Sequence, residues 1–193
     1  QERTIDATDL SVNFAGKSSG SVNTKAFIPR AAAPTYSGDR TNANVIDLKS
    51  TSQTLTSGKS YVITGGTYSG NIVFWGGQTT TLFVEGEWNV PANQEAFQGG
   101  MEIVVLNGGK ITFSNSSQTI YGYNNVNFFI MNGGAFNPEK KSININFTNS
   151  SGNIYNAGTF YLNTMQLNGG RFYNNSSTVN IAQFTQTGTI ENH

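Results

Sequence analysis

Two stretches, Val105-Leu-Asn-Gly-Gly-Lys-Ile-Thr-Phe113 and Ile130-Met-Asn-Gly-Gly-Ala-Phe136, repeat one local pattern 25 residues apart. Each has a large apolar residue, asparagine, two glycines, one free position and a second large apolar residue. Working outward, the element glycine, any residue, large apolar residue recurs seven times: at Gly66-Thr-Tyr68, Gly86-Glu-Trp88, Gly109-Lys-Ile111, Gly134-Ala-Phe136, Gly158-Thr-Phe160, Gly170-Arg-Phe172 and Gly188-Thr-Ile190. Successive glycines stand 20, 23, 25, 24, 12 and 18 residues apart. Self-similarity at a period of roughly 20–50 residues marks a solenoid.

The segments between these glycines favour strands. Ser142-Ile-Asn-Ile-Asn-Phe147 alternates strictly, while Glu102–Leu106 and Val126–Met131 are short apolar runs. No helical periodicity of useful length follows residue 50. A coil of this size holds two or three short strands and pairs with the next coil at about 4.8 Å. Aligned on the glycine, the third place before it is apolar in six of seven copies: Ile63, Phe83, Leu106, Met131, Tyr155 and Leu167, with Thr185 the exception. Two places before it stand Asn107, Asn132, Asn156 and Asn168. Asparagine tolerates left-handed backbone and can bond a stacked copy of itself, and glycine permits the sharp corner. The expected fold is all-β, a right-handed parallel β-helix over residues 51–193 after an irregular N-terminal segment, 1–50. That segment reads as linker, loose loop or cap. The alternative is a β-sandwich or jelly roll with Asn-Gly hairpin turns. The closing intervals of 12 and 18 residues suggest half-coils, or motifs falling on two sheets.

Composition narrows the function. The 193 residues carry 11 acidic and 11 basic side chains, one histidine and no cysteine, with charged residues at 11%. A chain near neutrality lacks the basic footprint of a nucleic-acid binder, and no apolar run reaches membrane-spanning length, so neither partner is expected. The absent cysteines remove disulfides, thiolate metal sites and cysteine nucleophiles.

The segments GKSYVITGGTYSGNIVF (58–74), VLNGGKITFSN (105–115), YNAGTFYLN (155–163) and LNGGRFYNN (167–175) resemble secreted bacterial right-handed β-helix proteins of pectate-lyase-like architecture. Surface proteins of this type are frequent in gut Bacteroidetes and largely lack an assigned function. The resemblance spans roughly residues 53–190 and implies an extracellular or cell-surface setting. It lies in repeat style and brings no catalytic signature with it.

The β-helix architecture also houses polysaccharide lyases and glycoside hydrolases, whose sites need converging acids. All four aspartates (Asp6, Asp9, Asp39, Asp47) precede residue 48. One acidic pair stands out, Glu85 and Glu87. If both lie on one strand, their carboxyls share a face at about 6.5–7 Å, near the separation of inverting glycosidases. Against this, the repeat alignment sets Glu87 beside Lys110 on the next coil, an ordinary surface ion pair. No metal site or cofactor is expected: the histidine is terminal, and no acidic calcium loop occurs. Binding is the better expectation. Trp75 precedes Gly76-Gly77, and Tyr121-Gly-Tyr123 sets two phenols on one face, among amides suited to sugar rings. The functional expectation is therefore a non-catalytic extracellular or cell-surface module for adhesion, glycan contact or spacing. The alternative is a carbohydrate-active enzyme or its accessory domain.

Overall fold

The computed structural model describes residues 35–192 except 75, 95, 124, 150, 151, 177, 187 and 188; at 98, 148, 149, 184–186 and 189–192 the backbone alone is described. The chain enters the coil through β1 (Asn44–Val45) and β2 (Ser52–Leu55). The next turns are β3 (Ser60–Ile63), β4 (Thr67–Tyr68) and β5 (Asn71–Phe74), then β6 (Thr80–Val84), β7 (Glu87–Val90) and β8 (Phe97–Gln98). They continue with β9 (Met101–Val105), β10 (Lys110–Phe113) and β11 (Ser117–Tyr123), then β12 (Asn127–Ile130), β13 (Ala135–Phe136) and β14 (Ser142–Asn149). The last turns are β15 (Asn153–Asn156) with β16 (Thr159–Leu167), and β17 (Arg171–Asn174) with β18 (Val179–Gln186), leading into β19 (Thr189–Asn192).

Every ladder among these strands is parallel, and none joins sequential strands as a hairpin would. That excludes the sandwich, whose hairpins pair antiparallel. The protein is a parallel β-solenoid of about six turns. One sheet is β1-β3-β6-β9-β12-β15-β17-β19. A second holds β4, β7, β10 and β13, a third β8, β11 and β14, and the long β16 joins these two.

The glycine repeat falls on two sheets. Tyr68, Trp88, Ile111, Phe136 and Phe160 stack in register down the second sheet. The next member is Val179, which no glycine announces. Phe172 and Ile190 belong instead to the first sheet, in line with Ile154. The apolar column read three places before the glycine needs a correction. Ile63 is in register with Val84, Val105 and Ile130, not with Phe83, Leu106 and Met131, because the corners differ in length. Thr64-Gly-Gly, Glu85-Gly and Leu106-Asn-Gly-Gly all make the same bend.

The interior is one continuous apolar stack. Phe136, fully buried, meets Phe113 edge-on at 5.5 Å, Phe128 at 5.7 Å and Phe160 at 5.0 Å. Each such ring contributes about 1.5–3 kcal/mol by leaving water. Toward the C-terminal end the aliphatic column of the first sheet changes chemistry. Asn156 and Asn174 succeed Ile130, 3% and 5% exposed, with Asn156 Nδ2 donating to Asn174 Oδ1 at 2.9 Å. Their spare groups serve the corners: Gly158 N–H donates to Asn156 Oδ1 (3.2 Å), and Asn174 Nδ2 donates to the Ser176 carbonyl (2.8 Å). Asn153 Nδ2 likewise donates to Asn127 Oδ1 at 3.0 Å.

A second apolar cluster lies outside the coil. Val62, Phe83, Val104 and Phe129 line the outer face of the first sheet and are buried beneath residues 35–43. Tyr36 stands edge-on to Phe83 (5.4 Å) and Phe129 (6.0 Å), and Ala43 packs beside it. This cover explains why Ile103–Val105 runs apolar without alternation: strands buried on both faces read as continuous apolar runs. Beyond the buried Phe129 the column continues with half-exposed rings, Tyr155 stacked on Phe129 at 4.7 Å and Tyr173 on Tyr155 at 4.8 Å.

Candidate functional site

Glu85 and Glu87 do not share a strand. β6 ends at Val84 and β7 begins at Glu87, with Gly86 making the corner, so the one-face geometry expected of the pair is absent. The two carboxylates are also taken up separately. Arg40 donates from Nε to Glu85 Oε1 (2.5 Å) and from Nη2 to Oε2 (2.6 Å), a bidentate clasp. That bond holds the Glu85 carboxyl below its ordinary range, against the opposing push of burial. Glu87 lies in register with Lys110 and pairs with its ammonium at 3.1 Å. Thr112 Oγ1 donates to Glu87 Oε1 (2.6 Å) and Thr67 Oγ1 to Oε2 (3.2 Å). Burial works to raise this carboxyl, but the bonds from Thr112 and Lys110 outweigh it and hold it low.

Glu102, which no sequence motif singled out, is 8% exposed and fastens the covering segment. Its Oε2 accepts from Ser37 N–H (3.0 Å), Ser37 Oγ (2.9 Å) and Thr81 Oγ1 (3.0 Å). Its signal in the sequence was a lone acid inside an apolar strand, which calls for a buried partner. Asp39, Asp47 and Glu139 are likewise engaged, by Thr41 and Asn42, by Lys49, and by Lys141. Among the described residues no three His, Cys, Asp or Glu side chains converge as metal ligands. No helix among them is long and apolar enough to cross a membrane.

The aromatic candidates divide. Trp75 lies outside the described residues. The corner after it, Gly76-Gly77, borders a cavity of about 360 Å³ with Thr79, Gly99, Gly100, Asn125 and Asn127. Tyr121 is 45% exposed, Tyr123 half-buried and Gly122 buried between them. A Cβ on Gly122 would stand 2.4 Å from the Phe147 ring, so this position faces the core and its neighbours face out.

Tyr121 belongs to a larger surface. In the third sheet and its continuation, Thr119, Asn144, Thr164 and Gln183 are in register, and so are Tyr121, Asn146 and Gln166. Their strand neighbours Ile120, Ile145 and Met165 are buried, which sets these two rows on the outer face. The rows contain no charge. Asn144 Nδ2 donates to Thr119 Oγ1 (3.3 Å), and Asn163 Nδ2 donates to Asn144 Oδ1 (2.9 Å). At the far end of this chain of bonds, next to the corner between β13 and β14, lies a cavity of about 270 Å³ bounded by Lys140, Lys141, Tyr161, Asn163 and Asn180. These residues are separated by up to 40 positions in sequence and carry no motif.

The fold and these surfaces define the class as a parallel β-solenoid with one outer face built of uncharged rows. Compared with known proteins, the chain matches no family model, no curated protein and no solved structure.

Proposed function

We propose that this solenoid is a non-catalytic module that holds a polyhydroxylated polymer, a glycan, against the outer face of β11, β14, β16 and β18. The observation that carries the reading is the pair of uncharged rows, Thr119-Asn144-Thr164-Gln183 and Tyr121-Asn146-Gln166. Amides and hydroxyls both donate and accept, as sugar hydroxyls do. The exposed Tyr121 ring offers an apolar face for stacking against a sugar. Successive strands repeat these groups at about 4.8 Å, so the face suits an extended chain better than a compact ligand. The low-charge, asparagine- and threonine-rich surface, with the resemblance to secreted solenoids, supports a place outside the cell or on its surface, in adhesion or spacing.

The enzymatic alternative has less support, because each acid whose side chain is described already holds a partner and Glu85 and Glu87 bracket a corner. Calorimetry against a panel of plant and host polysaccharides tests the reading. Binding without product release is expected, and Tyr121→Ala should weaken it about tenfold, equivalent to about 1.4 kcal/mol. Release of products, abolished by Glu85→Gln, would overturn it in favour of an enzyme.

A further inference from the structure

The loop 137–141, Asn-Pro-Glu-Lys-Lys, is the corner between β13 and β14 and has an uncommon backbone. Asn137 and Lys140 hold φ of +51° and +58° without being glycine. Such residues persist where the surroundings over-determine them, and they cluster at binding sites. Here the surroundings are visible. Asn137, 1% exposed, donates from Nδ2 to the carbonyls of Lys141 (2.8 Å) and Tyr161 (3.1 Å) and accepts on Oδ1 from Lys141 N–H (3.0 Å). The Lys141 ammonium is occupied by Glu139 at 2.7 Å and by the Phe113 carbonyl.

Lys140 is therefore the uncompensated charge of the loop: no carboxylate pairs with it among the described residues. Its Nζ stands 4.8 Å from the centre of the Tyr161 ring, beside the cavity of about 270 Å³ that Asn163 and Asn180 also bound. We propose that this cavity is a subsite for an anionic sugar, one bearing a carboxylate or a sulfate, within the glycan held by the amide rows; the inference rests on that reading. Lys140 supplies the counter-charge, Tyr161 a flat wall, and the two asparagines hydrogen bonds to ring hydroxyls. The bonded row Thr119-Asn144-Asn163 leads from the strand of Tyr121 to this cavity, so a chain lying on the face reaches Lys140. The volume falls below the roughly 300–1,000 Å³ of sites that enclose a whole small ligand. It suits one residue of a longer polymer.

The test is calorimetry of the full chain with three forms of one polysaccharide backbone: carboxylated, carboxyl-reduced and sulfated. At least one anionic form should bind about tenfold more tightly than the neutral form, with a preference that shrinks as salt is raised. Which anionic arm binds identifies the substituent. Lys140→Gln should erase the preference with the thermal midpoint unchanged, and Lys140→Arg should retain it. Equal binding of all three forms, or a preference that survives Lys140→Gln, would overturn the subsite and leave the glycan module standing. Failure of the wild-type chain to bind any form, alongside a negative polysaccharide panel, would remove both.

Discussion

A Cβ on Gly109 would stand 2.0 Å from the Val84 carbonyl oxygen and 3.1 Å from that of Leu106. Both atoms are backbone, so relief would require two coils to part. Gly77 sits at a corner too, yet a Cβ there meets nothing within 4 Å. Gly109→Ala should therefore cost about 2 kcal/mol or more, the scale of overpacking, while Gly77→Ala stays within about 0.5 kcal/mol. Urea denaturation followed by circular dichroism separates the two; equal midpoints would refute the close-approach argument. Both glycines belong to Gly-Gly corners; the repeat marks Gly109, with Ile111 two places on, but does not encode how near the Val84 carbonyl comes. The difference lies in which neighbouring coil comes near. Asparagine shows the same limit. Asn107 and Asn156 occupy one column of the repeat, yet Asn107 is an exposed corner residue and Asn156 a buried ladder residue bonded to Asn174.

The covering segment 35–43 is held in part by an ionised pair. Arg40 clasps Glu85, and that bond sets the Glu85 carboxyl below its ordinary value of 4.5. A carboxyl lowered in the folded state contributes stability that is fully present above the unfolded value. The contribution is lost as pH falls through the lower, folded value. Acidification below about pH 4.5 should thus loosen this segment before the coil melts, read as faster amide exchange at residues 35–43. Arg40→Ala should raise that exchange already at neutral pH and remove the Glu85 part of the pH response. Because both side chains are about one-third exposed, at 35% and 34%, the global loss should stay below about 1 kcal/mol. Exchange that ignores Arg40→Ala would show that Tyr36 and Ser37 alone hold the segment. β6, β9 and β12 are buried on both faces by a cover over the first sheet, which is why they read as apolar runs. Which residues supply it was not legible, since Tyr36 and Phe129 are brought together across 93 positions.

For the whole molecule, each coil rests on its neighbours, so a fault in the middle has no alternative support. Phe136 lies at the centre of the ring stack, and Phe136→Ala should cost about 3–5 kcal/mol. Phe136→Asp, which places a charge there without a partner, should abolish cooperative folding. A soluble Phe136→Asp variant with a sharp melting transition would contradict the shared interior. The sequence by itself determined the architecture: a glycine and a large apolar residue every 20–25 positions is a local pattern, and repeating it forces identical columns to stack. It also paired Glu87 with Lys110, since that register follows from the repeat alone. Tertiary structure alone decided the rest. Corner lengths vary, so the register shifted from the glycine alignment and Glu85 turned away from Glu87 to meet Arg40; of the two arrangements the closing intervals suggested, motifs on two sheets is the one the chain adopts. The Lys140 cavity, likewise, exists only where a strained corner on one coil faces Tyr161 on the next, a meeting of distant residues that no local pattern encodes.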